Sequence, residues 1–243
     1  MKIFVVSLKD AKQRRKIIAS KMKKFGIQFE FFDAVDGRKE LNKKYETMVD
    51  RKLAKIRLGR EISNPEIGCG LSHAMVYKKM VQENIKNAIV LEDDVILDKD
   101  FAEMVNKSLC EKSNYDFIFL YHLYGRAMRF GKDKFLKDYN ICKMAKTPNS
   151  TAGYYLNNKM ANYLYKRVLP ISWVADWNVK LDSMNTALIY PRIVRHPAIK
   201  NSLIESGRKG NKSRFGQFGF LYWVCYQFKK IFSLKVSEKV EGK

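Results

Sequence analysis

Apolar residues recur with two different periods over the first part of the chain. Residues 3–8 form a compact, β-branched run that is typical of a buried strand. Residues 10–24 carry an apolar stripe at helical spacing, and Gly26 follows where the helix should end. Residues 28–34 are aromatic and strand-like. This strand–helix–strand order predicts the opening of an α/β fold.

The pattern continues with short elements and shows no internal repeat. Residues 38–63 are polar and basic without a clear period, which predicts a loop or short helices. Further strands are predicted over residues 88–91, 116–121, 151–156 and 187–190, and further helices over residues 70–81 and through Met160, Leu164 and Val168.

Three adjacent carboxylates, Glu92, Asp93 and Asp94, follow the apolar strand at 88–91. A divalent cation would relieve their mutual repulsion, and diphosphate oxygens could complete its coordination. In open α/β sheets ligands bind at the carboxyl ends of strands, where this cluster falls. The alternative is a solvated acidic turn, because such turns are common in loops that follow strands.

Other phosphate-binding devices are missing from the sequence. The first strand is followed by SLKDAKQRR, which lacks the G-x-G-x-x-G of a dinucleotide fold. The chain also contains no G-x-x-x-x-G-K-[ST] motif, which excludes a P-loop. A nucleotide would therefore have to be held by other means.

Two further groups could carry chemistry. Cys69 and His73 are four residues apart and could share a helix face as a catalytic pair or metal site. We favour a buried structural cysteine, while His73 could donate to a phosphate or ribose. Asp176 lies between Trp173 and Trp177, where aromatic faces could stack on a sugar and the acid could handle a hydroxyl. A tryptophan-bearing core helix with an exposed acid is equally compatible with this motif.

The net charge of the chain is unusually high. The 243 residues include 47 Lys and Arg against 25 Asp and Glu, a net charge of +22, with 46% hydrophobic residues. Such a surface attracts nucleic acid, an anionic membrane or a phosphorylated glycolipid, and charge alone does not separate these. Four widely spaced cysteines without a C-x-x-C pair argue against a zinc knuckle and indicate a thiol-retaining cytosolic setting.

The C-terminal segment differs from the rest of the chain. Residues 215–228 are rich in aromatics and carry no charge, with Arg214 before them and Lys229 and Lys230 after them. The segment is too short to span a bilayer and resembles an interfacial anchor, although a helix completing the core would give the same pattern. The aromatics cluster apart from the charges, which argues against a single-strand-binding arm. No signal peptide or spanning helix is expected.

Taken together, the motifs resemble glycosyltransferase family 25, the lipooligosaccharide galactosyltransferase group. The resemblance runs from the first strand to about residue 207. It rests on VVSLKDAKQRR, FEFFDAVDG (29–37), EIGCGLSHAMVY (66–77), VLEDDVIL (90–97), STAGYYLNNKMA (150–161), WVADW (173–177) and NSLIES (201–206) in this order. Each motif is weak alone, whereas their joint order and spacing are specific.

The resemblance implies a type A glycosyltransferase fold, an α/β architecture with a Rossmann-like nucleotide-sugar-binding core and a mixed sheet. It also implies inverting transfer, commonly from UDP-galactose, onto a lipooligosaccharide or lipopolysaccharide sugar, with Mn²⁺ or Mg²⁺ as cofactor. By this resemblance Asp94 and Asp93 bind the metal, Asp176 is the catalytic base and Trp173 and Trp177 contact the acceptor. The expected donor-binding residues are Ser7, Leu8, Arg14, Ser72, His73, Glu92, Asp93, Thr151, Ala152 and Gly153.

The expected organisation is a catalytic domain over residues 1–207 and a basic, aromatic tail over residues 208–243. The expected location is cytoplasmic, peripheral at the inner face of a bacterial inner membrane, with the tail on anionic lipid. Three alternatives stay open: a basic nucleic-acid-binding protein, a non-catalytic sugar-binding module, and a transferase that uses another UDP-sugar such as UDP-glucose.

Overall fold

The computed structural model describes residues 1–175, 177, 179–197 and 233–236. Asp176 and most of the predicted tail therefore lie outside the described residues. The helices are α1 (Lys12–Lys24), α2 (Lys43–Glu46), α3 (Arg51–Leu58), α4 (Asn64–Gln82), α5 (Phe101–Asn106), α6 (Leu109–Lys112) and α7 (Asn158–Val168). The strands are β1 (Lys2–Ser7), β2 (Glu30–Asp33), β3 (Asn87–Glu92), β4 (Ile96–Leu97), β5 (Phe117–Phe119), β6 (Arg126–Leu136), β7 (Tyr139–Lys146), β8 (Gly153–Asn157), β9 (Thr186–Tyr190), β10 (Val194–Arg195) and β11 (Ser233–Lys235).

Within the described residues nine strands form one mixed sheet in the order β11-β6-β7-β9-β5-β8-β3-β1-β2. β1 pairs in parallel with β2 on one side and β3 on the other, whereas β8 runs antiparallel to β3 and β5. The predicted α/β architecture, with a Rossmann-like core and a mixed sheet, is confirmed. Because the chain leaves β1 for β2 and later returns to β3, a topological switch point lies between β1 and β3.

Both faces of the central sheet are buried, which explains the uninterrupted apolar runs in the sequence. On one face Val5 and Ile89 pack with Ile18 and Met22 of α1. On the other face residues such as Phe4 and Val90 pack beneath α4 and α7. Residues i and i+1 of a strand point to opposite faces, so each strand contributes to both clusters.

The prediction for α4 placed its start six residues too late. The helix begins at Asn64, where the Ser63 hydroxyl accepts the N–H of Glu66 and the Glu66 side chain accepts the N–H of Ser63. This is a capping box, and Pro65 in the first turn needs no intrahelical partner for its nitrogen. The short helices predicted within residues 38–63 are confirmed as α2 and α3.

Two elements change the predicted outline. The β6–β7 hairpin was not predicted, and β6 shows register shifts against β7 and consecutive exposed residues. At its start β6 pairs with β11, so residues 233–235 of the predicted tail join the sheet and Val236 packs in the core beside it. Among the helices of the described part, none is long and apolar enough to cross a membrane.

Candidate functional site

A cavity of about 450 Å³ opens at the carboxyl ends of β1 and β3. The pairing of Val6 with Glu92 brings the end of β1 beside the acidic cluster. The lining of the cavity comes from the β1–α1 turn, the loop after β2, the start of α4, the acidic cluster and one histidine that follows β10. The lining residues are Val6, Ser7, Leu8, Asp10, Ala11, Lys12, Gln13, Arg14, Ala34, Val35, Gly37, Arg38, Pro65, Cys69, Ser72, His73, Glu92, Asp93, Asp94 and His196.

The cavity has the size of a small-molecule pocket and lies at the carboxyl ends of two parallel strands. Ligand pockets of this kind usually enclose about 300–1,000 Å³. The structure brings together eight of the predicted donor and metal residues at this cavity, namely Ser7, Leu8, Arg14, Ser72, His73, Glu92, Asp93 and Asp94. The cavity thus lies at the end of β3, where the sequence predicts a ligand site, and the binding roles of these residues stay predictions.

Asp93 is bound through both of its carboxylate oxygens. Its Oδ2 accepts from the Ser7 hydroxyl at 2.6 Å, and its Oδ1 lies 3.2 Å from Arg14 Nη1. Burial raises the pKa of Asp93, and the contacts to Ser7 and Arg14 offset only part of that effect. Asp93 therefore ties the end of β3 to β1 and α1, and it has less capacity for a metal than the sequence suggested.

Asp94 is held between two cations. Its Oδ2 lies 3.1 Å from Arg14 Nη1, and its Oδ1 lies 3.0 Å from Nε2 of His196. Burial raises the pKa of Asp94, but His196 and Arg14 outweigh burial and lower it. Burial lowers the pKa of His196, but its hydrogen bond and charge interaction with Asp94 raise it to about 9. The chain itself therefore supplies positive charge to the acidic cluster. From the sequence alone, a metal ion was the only expected source of that charge.

The possible metal ligands differ from the predicted pair. One ligand atom each from Glu92, Asp94 and His196 lies within 4.8 Å of the others. Two carboxylates and an imidazole suit a divalent ion such as Mn²⁺. His196 was not predicted, although the chain has only three histidines. It reaches Asp94 because β10 pairs antiparallel with β4, placing Val194 opposite Leu97.

Ser72, Thr151 and Gly153 hold together the elements that surround the cavity. Ser72 donates to the Gly68 carbonyl at 2.6 Å and accepts the Val35 N–H at 2.9 Å, so its hydroxyl joins α4 to the loop after β2. Thr151 donates to Glu92 Oε1 at 2.7 Å from behind the cavity. At Gly153 an added Cβ would lie 3.1 Å from Val194, so its small size allows close packing of strands.

Residues 1–184 match the family model described as "Glycosyltransferase family 25 (LPS biosynthesis protein)". The chain belongs to glycosyltransferase family 25. The resemblance seen in the motifs is thus confirmed over about three quarters of the sequence, including both strands that form the cavity.

Curated relatives are identical to this chain at about one aligned residue in three. Lacto-N-neotetraose biosynthesis glycosyltransferase LgtE of Neisseria meningitidis serogroup B is 33% identical over 190 residues, covering 73% of this chain and 65% of the relative. A putative glycosyltransferase of Haemophilus influenzae is 32% identical, covering 68% and 57%. Lipooligosaccharide biosynthesis protein lic2B of Haemophilus influenzae is 30% identical, covering 70% and 64%. The matched regions span less than two thirds of each of these relatives.

The tryptophans of the family 25 motif WVADW lie beside the cavity rather than in it. Trp177 makes edge-on contacts with Phe117, Phe119 and Tyr154, at centroid distances of 5.0, 5.4 and 5.3 Å, and donates to the Ser150 carbonyl. Trp173 packs on the apolar cluster around α3 and α4. Trp177 thus has a packing role, and the acceptor-binding role of both residues stays a prediction.

The sequence did not single out two arginines that line this cavity or hold its elements together, Arg15 and Arg38. Arg15 donates to the carbonyls of Ser7 and Leu8 and pairs with Asp33, fixing the end of β1 against β2. Arg38 lines the cavity and pairs with acids of the neighbouring loops. The run of basic residues after β1 was visible, but their partners come from segments that only the fold brings close.

Proposed function

We propose that this family 25 protein transfers a hexose from a UDP-sugar, UDP-galactose in first place, to a lipooligosaccharide or lipopolysaccharide acceptor sugar with inversion at the anomeric carbon. The observation that carries the proposal is the acidic cluster at the carboxyl end of β3, facing a nucleotide-sized cavity beside the end of β1. The names of the lipooligosaccharide biosynthesis relatives support the acceptor class.

The donor would lie along the ends of β1 and β3. Ser7 and Leu8 form the floor of the cavity, held in place by Arg15. Arg14 lies over Asp93 and Asp94 and offers the nearest fixed positive charge to an incoming diphosphate. An arginine at this position can exchange carboxylate partners for phosphate oxygens, because it makes bidentate contacts with both groups.

A Mn²⁺ or Mg²⁺ ion fits the residues present. Glu92, Asp94 and His196 would hold it, and the ion would neutralise the charge of the departing diphosphate. His196 must give up its proton to act as a ligand, so ion binding would compete with the ion pair to Asp94. Arg14 would then remain as the chain's own cation at the acidic cluster.

The acceptor step needs a base near the anomeric carbon. We assign it to Asp176 on the strength of the family motif; the residue lies outside the described residues. In this mechanism the acceptor oxygen forms the new bond to the anomeric carbon while the bond to the diphosphate oxygen breaks. Asp176 takes the proton of the acceptor hydroxyl, and UDP leaves with the electron pair of the broken bond.

Replacing Asp176 by Asn keeps the size of the side chain and removes its ability to accept a proton. We expect kcat to fall by about 10²-fold or more while UDP binding is retained. Steady-state kinetics and UDP titration measure the two effects. If only the acceptor KM rises, Asp176 positions the acceptor and the base is another residue. Asp182 is absent from the cavity lining, and its Oδ1 accepts from the Thr147 hydroxyl at 3.4 Å.

A UDP-release assay over a panel of nucleotide sugars and truncated lipooligosaccharide acceptors tests the function directly. The proposal predicts acceptor-dependent release of UDP, highest with UDP-galactose. Thermal shift with UDP plus Mn²⁺, compared with an oligonucleotide, separates this function from nucleic-acid binding. A chain that is stabilised only by the oligonucleotide and releases no UDP would contradict the proposal.

A further inference from the structure

A second group of ligand atoms lies deeper in the same cavity. Cys69 and His73 are one turn apart on α4, and both face Glu92 at the end of β3. One ligand atom from each of the three residues lies within 4.8 Å of the others. Sulfur and imidazole give this group a softer character than the carboxylate-rich group around Asp94.

One ring nitrogen of His73, which belongs to this group, has no hydrogen-bond partner. The residue is only 3% exposed, and its Nε2 is buried without a hydrogen-bond partner. Glu92 Oε1 is 3.6 Å from this nitrogen, which is too long for a hydrogen bond. Buried polar atoms are almost always satisfied, so an unpaired ring nitrogen beside a carboxylate and a thiol calls for a ligand.

His73 and Glu92 are each held in place by a hydrogen bond to a further residue, as metal ligands usually are. His73 Nδ1 lies 2.7 Å from the hydroxyl of Tyr154, which in turn contacts the hydroxyl of Tyr77. Glu92 is fixed by the Thr151 hydroxyl. An Nδ1–H donated to Tyr154 leaves the Nε2 lone pair directed at the group. Such outer partners fix the tautomer and the ring orientation of a ligating histidine.

We propose that Cys69, His73 and Glu92 form a site for a thiophilic divalent cation, Zn²⁺ in first place. With Zn–N and Zn–O bonds of about 2.0–2.2 Å, the 3.6 Å separation of the two ligand atoms corresponds to an N–Zn–O angle of about 120°. Coordination replaces the thiol proton of Cys69, which leaves to solvent. A fourth, non-protein position would face the cavity.

Occupation of this site has a consequence for the donor. Glu92 belongs both to this group and to the group with Asp94 and His196, so Zn²⁺ competes for a shared ligand. The ion would also occupy part of the cavity assigned to the nucleotide. Zn²⁺ is thus an inhibitor of the transferase, and this consequence rests on the proposed function, whereas the cation site does not.

Spectroscopy of the metal-substituted protein tests the site without any activity. Titration of the metal-free, reduced full chain with Co²⁺ should produce thiolate-to-metal charge-transfer absorption at one equivalent, and Zn²⁺ should remove it. Cys69→Ser should abolish this absorption although three other cysteines remain. His196→Gln, which alters the other group only, should keep it. Persistence of the absorption in Cys69→Ser would overturn the proposal.

Thr151, the hydrogen-bond partner of Glu92, allows a second test, in which metal binding should be weakened rather than abolished. Thr151→Val removes the hydroxyl that fixes Glu92 and should weaken Zn²⁺ binding by about 10–100-fold in a chromophoric chelator competition. Thr47→Val is the matched control, since Thr47 is exposed and bonds only a helix carbonyl. Unchanged affinity in Thr151→Val, with its fold intact by circular dichroism, would count against Glu92 as a ligand.

The inhibitory consequence is measured separately in the UDP-release assay with excess Mn²⁺. Zn²⁺ should suppress release by the unaltered chain and have at least about 10-fold less effect on Cys69→Ser. Equal inhibition of both would refute the consequence. Absence of UDP release in all samples would refute the proposed function instead, and the spectroscopic result would still stand.

Discussion

At the scale of single residues, the acidic cluster is a charge-compensated group. Arg14 pairs with Asp93 and Asp94, and His196, which follows β10, pairs with Asp94. Burial of carboxylates without such partners would be costly. The two cations lower the pKa of Asp94 and so keep its carboxylate ionised, and a donor diphosphate with its ion must rearrange these contacts.

Asp94→Asn should remove the charge that His196 and a metal ion share. We expect Mn²⁺ binding, followed by electron paramagnetic resonance, to weaken by at least about 10-fold, and UDP release to fall by about 10²-fold or more. Asp133→Asn is the control, because Asp133 is an exposed acid on β6. Normal Mn²⁺ affinity and activity in Asp94→Asn would rule out the metal role of Asp94.

The sequence predicted part of this site for physical reasons. Three carboxylates after an apolar strand are visible without a structure, and so is an arginine after β1. His196 could not be placed, because its contact with Asp94 depends on the pairing of β10 with β4 across about a hundred residues. Cys69 was interpreted as structural, because its proximity to Glu92 depends on how α4 packs on β3.

At the scale of elements, α4 carries more of the site than any other helix. It contributes Pro65, Cys69, Ser72 and His73 to the cavity lining. Its first turn is fixed by the capping box and by Arg60, which donates to both Glu66 oxygens at 2.8 and 2.6 Å. The Glu66 carboxylate is 1% exposed, so this ion pair is well shielded from water.

Glu66→Gln should make the protein less stable at neutral pH and less sensitive to acid. Burial raises the pKa of Glu66, but hydrogen bonds from Arg60 and Ser63 lower it to about 2. Its stabilising contribution is therefore complete above the unfolded pKa of about 4.3 and is lost as pH falls toward 2. We expect the variant to lose about 1–3 kcal/mol at pH 7 in urea unfolding.

The difference between Glu66→Gln and the unaltered protein should shrink steadily between pH 4.5 and pH 2. Glu61→Gln is the control, since Glu61 is exposed and paired with exposed Lys55. A difference that stays constant over this pH range would show that the carboxylate charge of Glu66 does not stabilise the helix start.

Gly68→Ala should disturb the contact between α4 and the loop after β2. An added Cβ would lie 2.7 Å from the Val35 carbonyl and 3.0 Å from the Gly37 nitrogen, both of them backbone atoms. We expect a loss of about 1–3 kcal/mol in thermal or urea unfolding. Gly70→Ala on the same helix meets only the flexible Ile171 side chain at 3.2 Å, so its cost should be smaller. Equal effects would contradict this account.

The success of prediction also differed between elements. Strands buried on both faces, such as β1 and β3, were predicted within a residue or two because their apolar runs are unbroken. The start of α4 was misplaced, although Ser63 and Glu66 carry the spacing of a capping box. The β6–β7 hairpin was missed because residues 129–134 are exposed in succession and give no alternating pattern.

At the scale of the whole molecule, the net charge of +22 favours contact with anionic partners. We propose that the uncharged aromatic stretch 215–228, with its basic flanks, binds an anionic membrane surface. Those residues lie outside the described part, and residues 233–235 join the sheet as β11. Truncation after residue 207 would remove that strand as well, so substitution of the flanking charges is the better test.

The triple variant Arg214→Gln, Lys229→Gln, Lys230→Gln should bind anionic liposomes more weakly, since each basic residue contributes about 1 kcal/mol near such a surface. Co-sedimentation at two ionic strengths measures this. A second triple variant, Arg129→Gln, Lys132→Gln, Lys134→Gln, removes the same charge from the exposed part of β6 and is the control. If the two variants bind alike, general surface charge rather than the tail determines membrane affinity.

The position of β11 has a consequence for biosynthesis. Among the described residues β11 pairs with the first three residues of β6, Arg126 to Met128, and it follows them by about a hundred residues along the chain. While the chain is being made, the whole outer side of β6 is an open edge that could pair with another nascent chain. Arg129, Lys132 and Lys134 supply like charges along that edge, so neighbouring chains on one polysome would repel each other until β11 has been made.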